Sequence, residues 1–163
     1  MAIAAVIFAA FFFSSNHFSN KQNPLNDCGP EALLALLSDI GIQSTVEQIS
    51  RAADTDREGT TMLGLKKAAE HFGLEARGMR LSAEDLPGYM NEGYHMIAFI
   101  KGNHYVWVKN IHPRGVVYKD VAPGFQFAST GNWQEMWYPG KRFWMRRAPG
   151  EGFCLIVKKG DGL

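Results

Sequence analysis

The chain has 163 residues, which is the size of one domain with a core of its own. Hydrophobic residues make up 46% and charged residues 20%, a composition typical of a globular protein and not of a disordered one. A formal net charge of +1 argues against a nucleic-acid partner. The local exception is the basic and aromatic cluster 141–147, which we interpret as a solvated edge or as a contact with substrate or a membrane surface.

The first segment, residues 1–13, is apolar and uncharged throughout. It is shorter than the roughly 20 residues of a membrane-spanning helix, and it lacks the basic start and clear cleavage site of a signal peptide. An uncleaved anchor, a signal whose start is missing, and a helix that packs on a partner all remain open. We expect a membrane-associated or exported protein with a short apolar helix at 1–13, a polar linker at 14–21 and the domain proper at 22–163.

A first helix is predicted to begin at Cys28. Asn26 and Asp27 are N-cap residue types, and Pro30 suits a first helical turn, where its missing N–H costs nothing. Apolar residues then recur at helical spacing as far as Gly41, namely Leu33, Leu36, Leu37 and Ile40. A cysteine at a helix start feels the positive end of the dipole and free backbone N–H groups, which favour the thiolate. The alternative for Cys28 is a small buried hydrophobic residue.

The following elements change from helical to strand periodicity. Ser44 and Glu47 are typical of a capping box that opens a short helix, and further helices are predicted at 60–72 and 82–86 on either side of a strand at 74–81. In the second half, strands are predicted at 96–100, 104–111, 115–120 and 153–157, with a hairpin turn at 101–103. Helices followed by an antiparallel meander predict an α+β domain.

His104 and Asp120 are predicted to lie close together. His104 opens one strand and Asp120 ends the next, and antiparallel neighbours place the start of one beside the end of the other. Nucleophilic catalysis by a thiol needs such a pair, because an imidazole moves the proton and a carboxylate orients the ring. Taken singly, a backbone-bonded histidine and a turn-initiating aspartate are plainer explanations. His95 is a competing candidate for the base.

Gln22 is a candidate oxyanion donor. It precedes Cys28 by six positions, enough for a loop to bring its amide beside the sulfur, although a plain linker residue is the alternative. The two cysteines, Cys28 and Cys154, are too few for a disulfide framework but could pair. No spacing typical of a metal site is present, and no cofactor is expected.

These residues, taken in order, resemble the C39 peptidases. The matching segments are Gln22-x5-Cys28-Gly29, Gly59-Thr60-Thr61-x-x-Gly64-Leu65-Lys66-x-Ala68-Ala69, Gly73-Leu74-x-Ala76, Asn103-His104-Tyr105-Val106, and Asp120 before Pro123-Gly124. The likeness covers roughly Gln22 to Tyr138. C39 peptidases are papain-like cysteine proteases, best known as the domain that removes double-glycine leader peptides from bacteriocins. Residues 125–137 resemble the closing stretch of that domain.

The resemblance implies a papain-like fold, in which N-terminal helices pack on a C-terminal antiparallel sheet, and a peptide or protein substrate. It implies Cys28 as nucleophile, His104 as base, Asp120 as orienting acid and Gln22 as oxyanion donor. It further implies a preference for small residues such as glycine before the cut, in a narrow cleft lined by aromatic residues such as Tyr105, Trp107 and Phe125.

Two departures from the family leave the substrate open. The bacteriocin enzymes are fused to an ABC transporter, whereas this sequence carries an apolar N-terminus, and residues 91–96 lack the Leu-Pro typical before the histidine strand. We therefore expect a stand-alone peptidase of the bacterial cell envelope. One alternative is a peptidase-like scaffolding or peptide-binding subunit of a membrane assembly, with late aromatic residues as its interface (Trp133, Trp137, Tyr138, Phe143, Trp144). Another is an amidase or acyltransferase that uses the same Cys/His pair.

Overall fold

The structure of the chain, a computed structural model, describes residues 27–138 and 150–160. These residues form an α+β fold, which confirms the predicted class. The helices are α1 (Cys28–Asp39), α2 (Val46–Ala52), α3 (Met62–His71), α4 (Leu86–Asn91) and α5 (Thr130–Trp137). The strands are β1 (Leu74–Ser82), β2 (His95–Ile100), β3 (His104–His112), β4 (Gly115–Lys119), β5 (Phe125–Ser129) and β6 (Glu151–Lys159).

The six strands form one sheet in the order β1-β6-β2-β3-β4-β5, with antiparallel pairing between all neighbours. Each face of the sheet carries a hydrophobic core. Tyr105 and Trp107 of β3 pack with the apolar residues of α1–α3, whereas Val106 and Val108 pack with the tryptophans of α5. Side chains alternate between the two faces of a strand, so β3 packs against helices on both sides. The helix that begins at Cys28 lies on the side of Tyr105 and Trp107.

The predicted first helix and hairpin are confirmed. α1 runs from Cys28 to Asp39 and buries its apolar stripe, and Gly41 follows with a φ of 82° that a side chain disfavours. The Asp27 side chain makes no cap hydrogen bond, so the start of α1 depends on packing. The turn between β2 and β3 uses left-handed φ values at Lys101 and Gly102.

Two local predictions are wrong by a few residues. The capping box joins Thr45 and Gln48 instead of Ser44 and Glu47, because Thr45 has the extended backbone of an N-cap and exchanges two hydrogen bonds with Gln48. The helix expected at 82–86 begins at Leu86. Before it, the Asp85 carboxylate accepts hydrogen bonds from the backbone and hydroxyl of Ser82 and closes a turn.

The late tryptophans are buried and do not form an exposed interface. Trp133 is 1% and Trp137 0% exposed, and the Trp137 indole N–H donates to the carbonyl of Phe153 at 3.0 Å. They lie on α5, which together with β5 was not predicted as separate elements. α5 covers the face of the sheet opposite α1, so these residues stabilise the core.

Several predictions concern residues outside the described ranges. They are the apolar segment 1–13, the linker 14–21, Gln22, and the cluster 141–147 with Phe143 and Trp144. Within residues 27–138 and 150–160, each helix is too short or too polar to cross a membrane.

Gly64, on α3, tests how closely the helices that support Cys28 are packed. A methyl group there would overlap the carbonyl oxygen of Ala53 at the end of α2, and that oxygen belongs to backbone that cannot rotate away. We expect Gly64→Ala to lower the free energy of unfolding by about 1–3 kcal/mol. Gly131→Ala on α5 is the matched control, because a methyl group there meets open space and alanine favours a helix. Urea denaturation measures both, and equal effects would contradict this account.

Candidate active site

Cys28 is the first residue of α1, and only 6% of it is exposed. The next residue, Gly29, lies so close to the segment before α3 that an added Cβ would be 3.1 Å from the Thr60 Cβ. Pro30 is buried in the first turn. The start of α1 therefore packs closely against the residues that precede α3, and the sulfur lies near the start of β3.

His104 and Asp120 are joined by a hydrogen bond of 2.7 Å between the ring Nε2 and the carboxylate Oδ1. Both side chains are about one quarter exposed, at 24% and 25%. The same carboxylate oxygen accepts the backbone N–H of Val121 at 2.7 Å. Because Nε2 of His104 is engaged by Asp120, the other ring nitrogen, Nδ1, is the one available to the Cys28 sulfur.

The register of the β3–β4 hairpin brings this pair together. Trp107 pairs with Lys119, whereas beyond a register shift Asn110 pairs with Val117, so β3 contains one extra residue between Val108 and Asn110. Residues that pair across antiparallel strands share a face of the sheet. If the pairing seen at Asn110 continued without a shift to the start of β3, Asp120 would lie on the same face of the sheet as Trp107. His104 would then lie on the opposite face.

The surroundings of Cys28 lower the pKa of its thiol. Burial raises this pKa, but hydrogen bonds from the His104 side chain and from the backbone N–H groups of Tyr105 and Gly29, together with the charge of His104, outweigh burial. Two of these donors are backbone groups, so part of the stabilisation of the thiolate comes from the backbone conformation at the starts of α1 and β3 and not from side chains.

The pKa of His104 is raised. The hydrogen bond to Cys28 contributes most, burial opposes it, and the hydrogen bond and charge of Asp120 add to the increase. A lowered thiol pKa beside a raised imidazole pKa shifts the coupled pair away from thiol and neutral imidazole, toward thiolate and imidazolium. Such a pair holds both a nucleophile and a proton for a leaving group.

A groove of about 230 Å³ leads away from Cys28 along α1. Its walls are the outward face of α1 on one side and the end of β4 with the following turn on the other (Glu31, Leu34, Ala35, Ser38, Lys119, Val121). Of the aromatic residues expected in the cleft, Tyr105 lines this groove. Trp107 is 3% exposed, and Phe125 is 57% exposed on the surface of β5.

The other candidate residues lie apart from Cys28. Burial lowers the pKa of His95, whose charged neighbours are Asp39 and Lys109. Cys154 is free and fully buried, and burial raises the pKa of its thiol to about 12. In the described part of the chain, no three side chains of the metal-binding types cluster to hold an ion.

Sequence reasoning missed Lys119 and Glu31, which flank the site. The Lys119 amine donates to the Ala122 carbonyl at 2.7 Å, within the turn that contains Asp120. Burial and the charge of Asp27 raise the pKa of Glu31, while the charge of Lys119 opposes that increase. A lysine directly before the candidate acid was the available signal, but only the turn geometry gives it a partner.

The sequence pattern of the peptidase C39 family matches residues 18–141. An uncharacterized protein of Methanothermobacter marburgensis is 34% identical over 107 residues, which cover 64% of this chain and 71% of that protein. The pediocin PA-1 transport/processing ATP-binding protein of Pediococcus acidilactici is 33% identical over 103 residues, 60% of this chain but only 14% of that longer protein.

The fold matches solved peptidase domains. A double glycine motif protease from an AMS/PCAT transporter, solved in complex with the leader peptide, superposes with a TM-score of 0.68 at 26% identity. The superposition covers 85% of this chain and 88% of that one. The predicted papain-like α+β fold of the C39 peptidases is thereby confirmed.

Alkylation by iodoacetamide tests the thiol environment. We expect Cys28 to react at a lower pH than an ordinary thiol, and Cys154 to stay unmodified until the protein unfolds, because it is buried and protonated. His104→Ala should move the midpoint of the Cys28 reaction to higher pH, since the largest favourable contact is lost. Mass spectrometry of each cysteine over a pH series measures this. A midpoint that His104→Ala leaves unchanged would contradict the coupling of the two side chains.

Proposed function

The chain belongs to the peptidase C39 family, and we propose that it is a cysteine endopeptidase with Cys28, His104 and Asp120 as its triad. The observation that carries this proposal is the hydrogen bond of His104 to Asp120, with the Cys28 thiol beside the imidazole at the start of a helix and at the head of a groove. Nucleophile, base and orienting acid have the order of contacts that thiol catalysis requires.

In the proposed reaction, the Cys28 thiolate attacks the carbonyl carbon of the scissile peptide bond and forms a C–S bond. The π electrons of the C=O bond move to the carbonyl oxygen. As the C–N bond breaks, His104 gives its proton to the leaving amine, and a thioester remains on Cys28. His104 then takes a proton from water, whose oxygen attacks the thioester. The thiolate leaves as the acid product forms, and the imidazolium again faces it. Asp120 orients the ring and favours its charged form at both stages.

We propose that the developing oxyanion is held by the backbone N–H of Cys28 and the side-chain amide of Gln22. A helix start provides backbone donors that point outward along the axis, and an amide six residues earlier adds a second donor. The assignment of Gln22 is supported by its spacing from Cys28 and by the family resemblance.

We propose a peptide substrate with small residues before the cut, double glycine among them. The solved relative is a double glycine motif protease in complex with a leader peptide, and the pediocin relative is a transport/processing protein. The groove next to Cys28 includes Ala32 and Ala35, which leave space for a substrate backbone to lie close to α1. A chain with side chains of that size near the scissile bond would fit there.

We further propose that residues 1–13 attach the protein to a membrane of the cell envelope, with 14–21 as a linker and 22–163 as the peptidase domain. The support is the uncharged apolar sequence of 1–13 and the membership of relatives in transporters. A segment of this length adds membrane affinity without itself needing to span.

Turnover is the direct test of the proposed reaction. A fluorogenic peptide that carries a double glycine should be cleaved by the unaltered protein, and Cys28→Ala should remove activity because no other described thiol lies in the site. Cys154→Ala is the matched control, since it removes the other cysteine and should leave kcat/KM unchanged. Cleavage that persists in Cys28→Ala would exclude the mechanism. Tight peptide binding without turnover by the unaltered protein would favour the scaffolding alternative.

Gln22→Ala should lower kcat by about 10²–10³-fold, because one oxyanion donor is lost, and should leave KM little changed. The alkylation midpoint of Cys28 should stay where it is, since thiolate formation needs no oxyanion donor. Gln43→Ala, at an exposed position between α1 and α2, is the control for removal of a glutamine amide. An unchanged kcat in Gln22→Ala would return Gln22 to the role of a linker residue.

A further inference from the structure

We propose that Lys119 is a positioning residue, which fixes the turn that carries Asp120 and through Asp120 orients His104 toward Cys28. The inference rests on the proposed peptidase function and concerns the same site. It assigns a role to a side chain that touches neither the sulfur nor the imidazole.

The turn after β4 has little packing to hold it. β4 ends at Lys119, and residues 121–124 are all exposed. Two hydrogen bonds close the turn instead: the Lys119 amine donates to the Ala122 carbonyl at 2.7 Å, and the Val121 N–H donates to the Asp120 carboxylate at 2.7 Å. Because an exposed turn gains little from burial, its geometry depends on these bonds more than a core segment would.

The Asp120 oxygen that accepts the Val121 N–H is the same oxygen that accepts the His104 Nε2–H. A shift of the turn therefore moves the acceptor of the imidazole directly. Lys119 holds the turn at its far end, at Ala122, so Asp120 and Val121 are fixed between the end of β4 and a closed loop. Loss of the amine leaves the Ala122 carbonyl to solvent and releases that end.

Lys119 also faces the helix that carries Cys28. Its pairing with Trp107 places it on the sheet face covered by α1, and it lines the groove opposite Glu31, one turn after Cys28. Glu31 is partly buried and is repelled by Asp27, and the charge of Lys119 offsets this. The amine thus acts on the turn of the acid by a hydrogen bond and on the first turn of the nucleophile's helix by its charge.

The test is Lys119→Met, which keeps the length of the side chain but removes its charge and donors. We expect kcat to fall by about 5- to 50-fold with KM unchanged, because misplaced catalytic groups slow the chemical step. A looser Asp120 contact lowers the pKa of His104 and raises that of Cys28. The alkylation midpoint should therefore move to higher pH, and the alkaline limb of kcat/KM to lower pH.

Lys119→Arg should restore most of kcat and the acid and alkaline limbs of the pH profile of kcat/KM, since a guanidinium keeps the charge and the hydrogen-bond donors. Lys67→Met, at an exposed lysine of α3 paired with Asp54, is the control for loss of a surface charge. Lys119 could act through its hydrogen bond to Ala122 or through its charge on Glu31, and Glu31→Gln separates these two effects. If the pH profile of kcat/KM in Glu31→Gln is that of the unaltered protein, the effect of Lys119 is due to the hydrogen bond with Ala122. Thermal denaturation checks folding, and Lys119→Gln serves as a second variant if Lys119→Met is unstable.

Two results would overturn the inference. One is a raised KM in Lys119→Met with unchanged pH limbs, which would make Lys119 a substrate contact. The other is wild-type kinetics in both Lys119→Met and Lys119→Gln. If the unaltered protein instead shows an unreactive Cys28 and no turnover, the proposed function itself fails, so the two failures are distinguishable.

Discussion

The site depends on the packing of α1 along β3. Contacts tie the two elements at both ends: Cys28 meets His104 at their starts, and the Asp39 carboxylate accepts from the Lys109 amine near their ends. From Cys28 to Asp39 the helix rises about 16 Å, and from His104 to Lys109 the strand extends about 16 Å, so both ties form without strain. Apolar residues between them fill the interface. A helix shifted by one turn would break the ion pair and remove the sulfur from the imidazole together.

A second constraint acts within the sheet. The extra residue of β3 is Lys109, the same residue that ties the strand to α1. It changes which residues of β3 and β4 lie on the same face of the sheet. Because of this shift, His104 and Asp120 lie on the same face. Bulges are common beside active sites because a single residue can redirect a whole strand end. Here the bulge reconciles two demands on one strand, the packing of Trp107 under α1 and the meeting of His104 with Asp120.

The two cysteines show how far local donors outweigh burial. Cys154 lies in β6, where the contact of its sulfur with the Met79 carbonyl favours the thiol, and burial raises its pKa to about 12. Cys28 is nearly as inaccessible, yet its pKa is lowered because imidazole and backbone N–H donors converge on the sulfur. Burial of a thiol therefore does not decide its reactivity. The direction of the surrounding donors does, and at Cys28 those donors come from the start of β3 as well as from the start of α1.

The sequence was sufficient for features with a local cause and insufficient for those with a distant one. The helix at Cys28 has its own periodicity and stop signal, and a short hairpin brings the strand ends of His104 and Asp120 together, although the bulge that puts them on one face was not predicted. The insertion of β6 between β1 and β2 has no local signal, because its partners lie far away in the chain. The burial of Trp137 depends on that distant pairing, since its indole packs against Gly152 and donates to the Phe153 carbonyl of β6. Lys119 belongs with this second group: its sequence position beside Asp120 is visible, but a positioning role requires the closed turn and the groove.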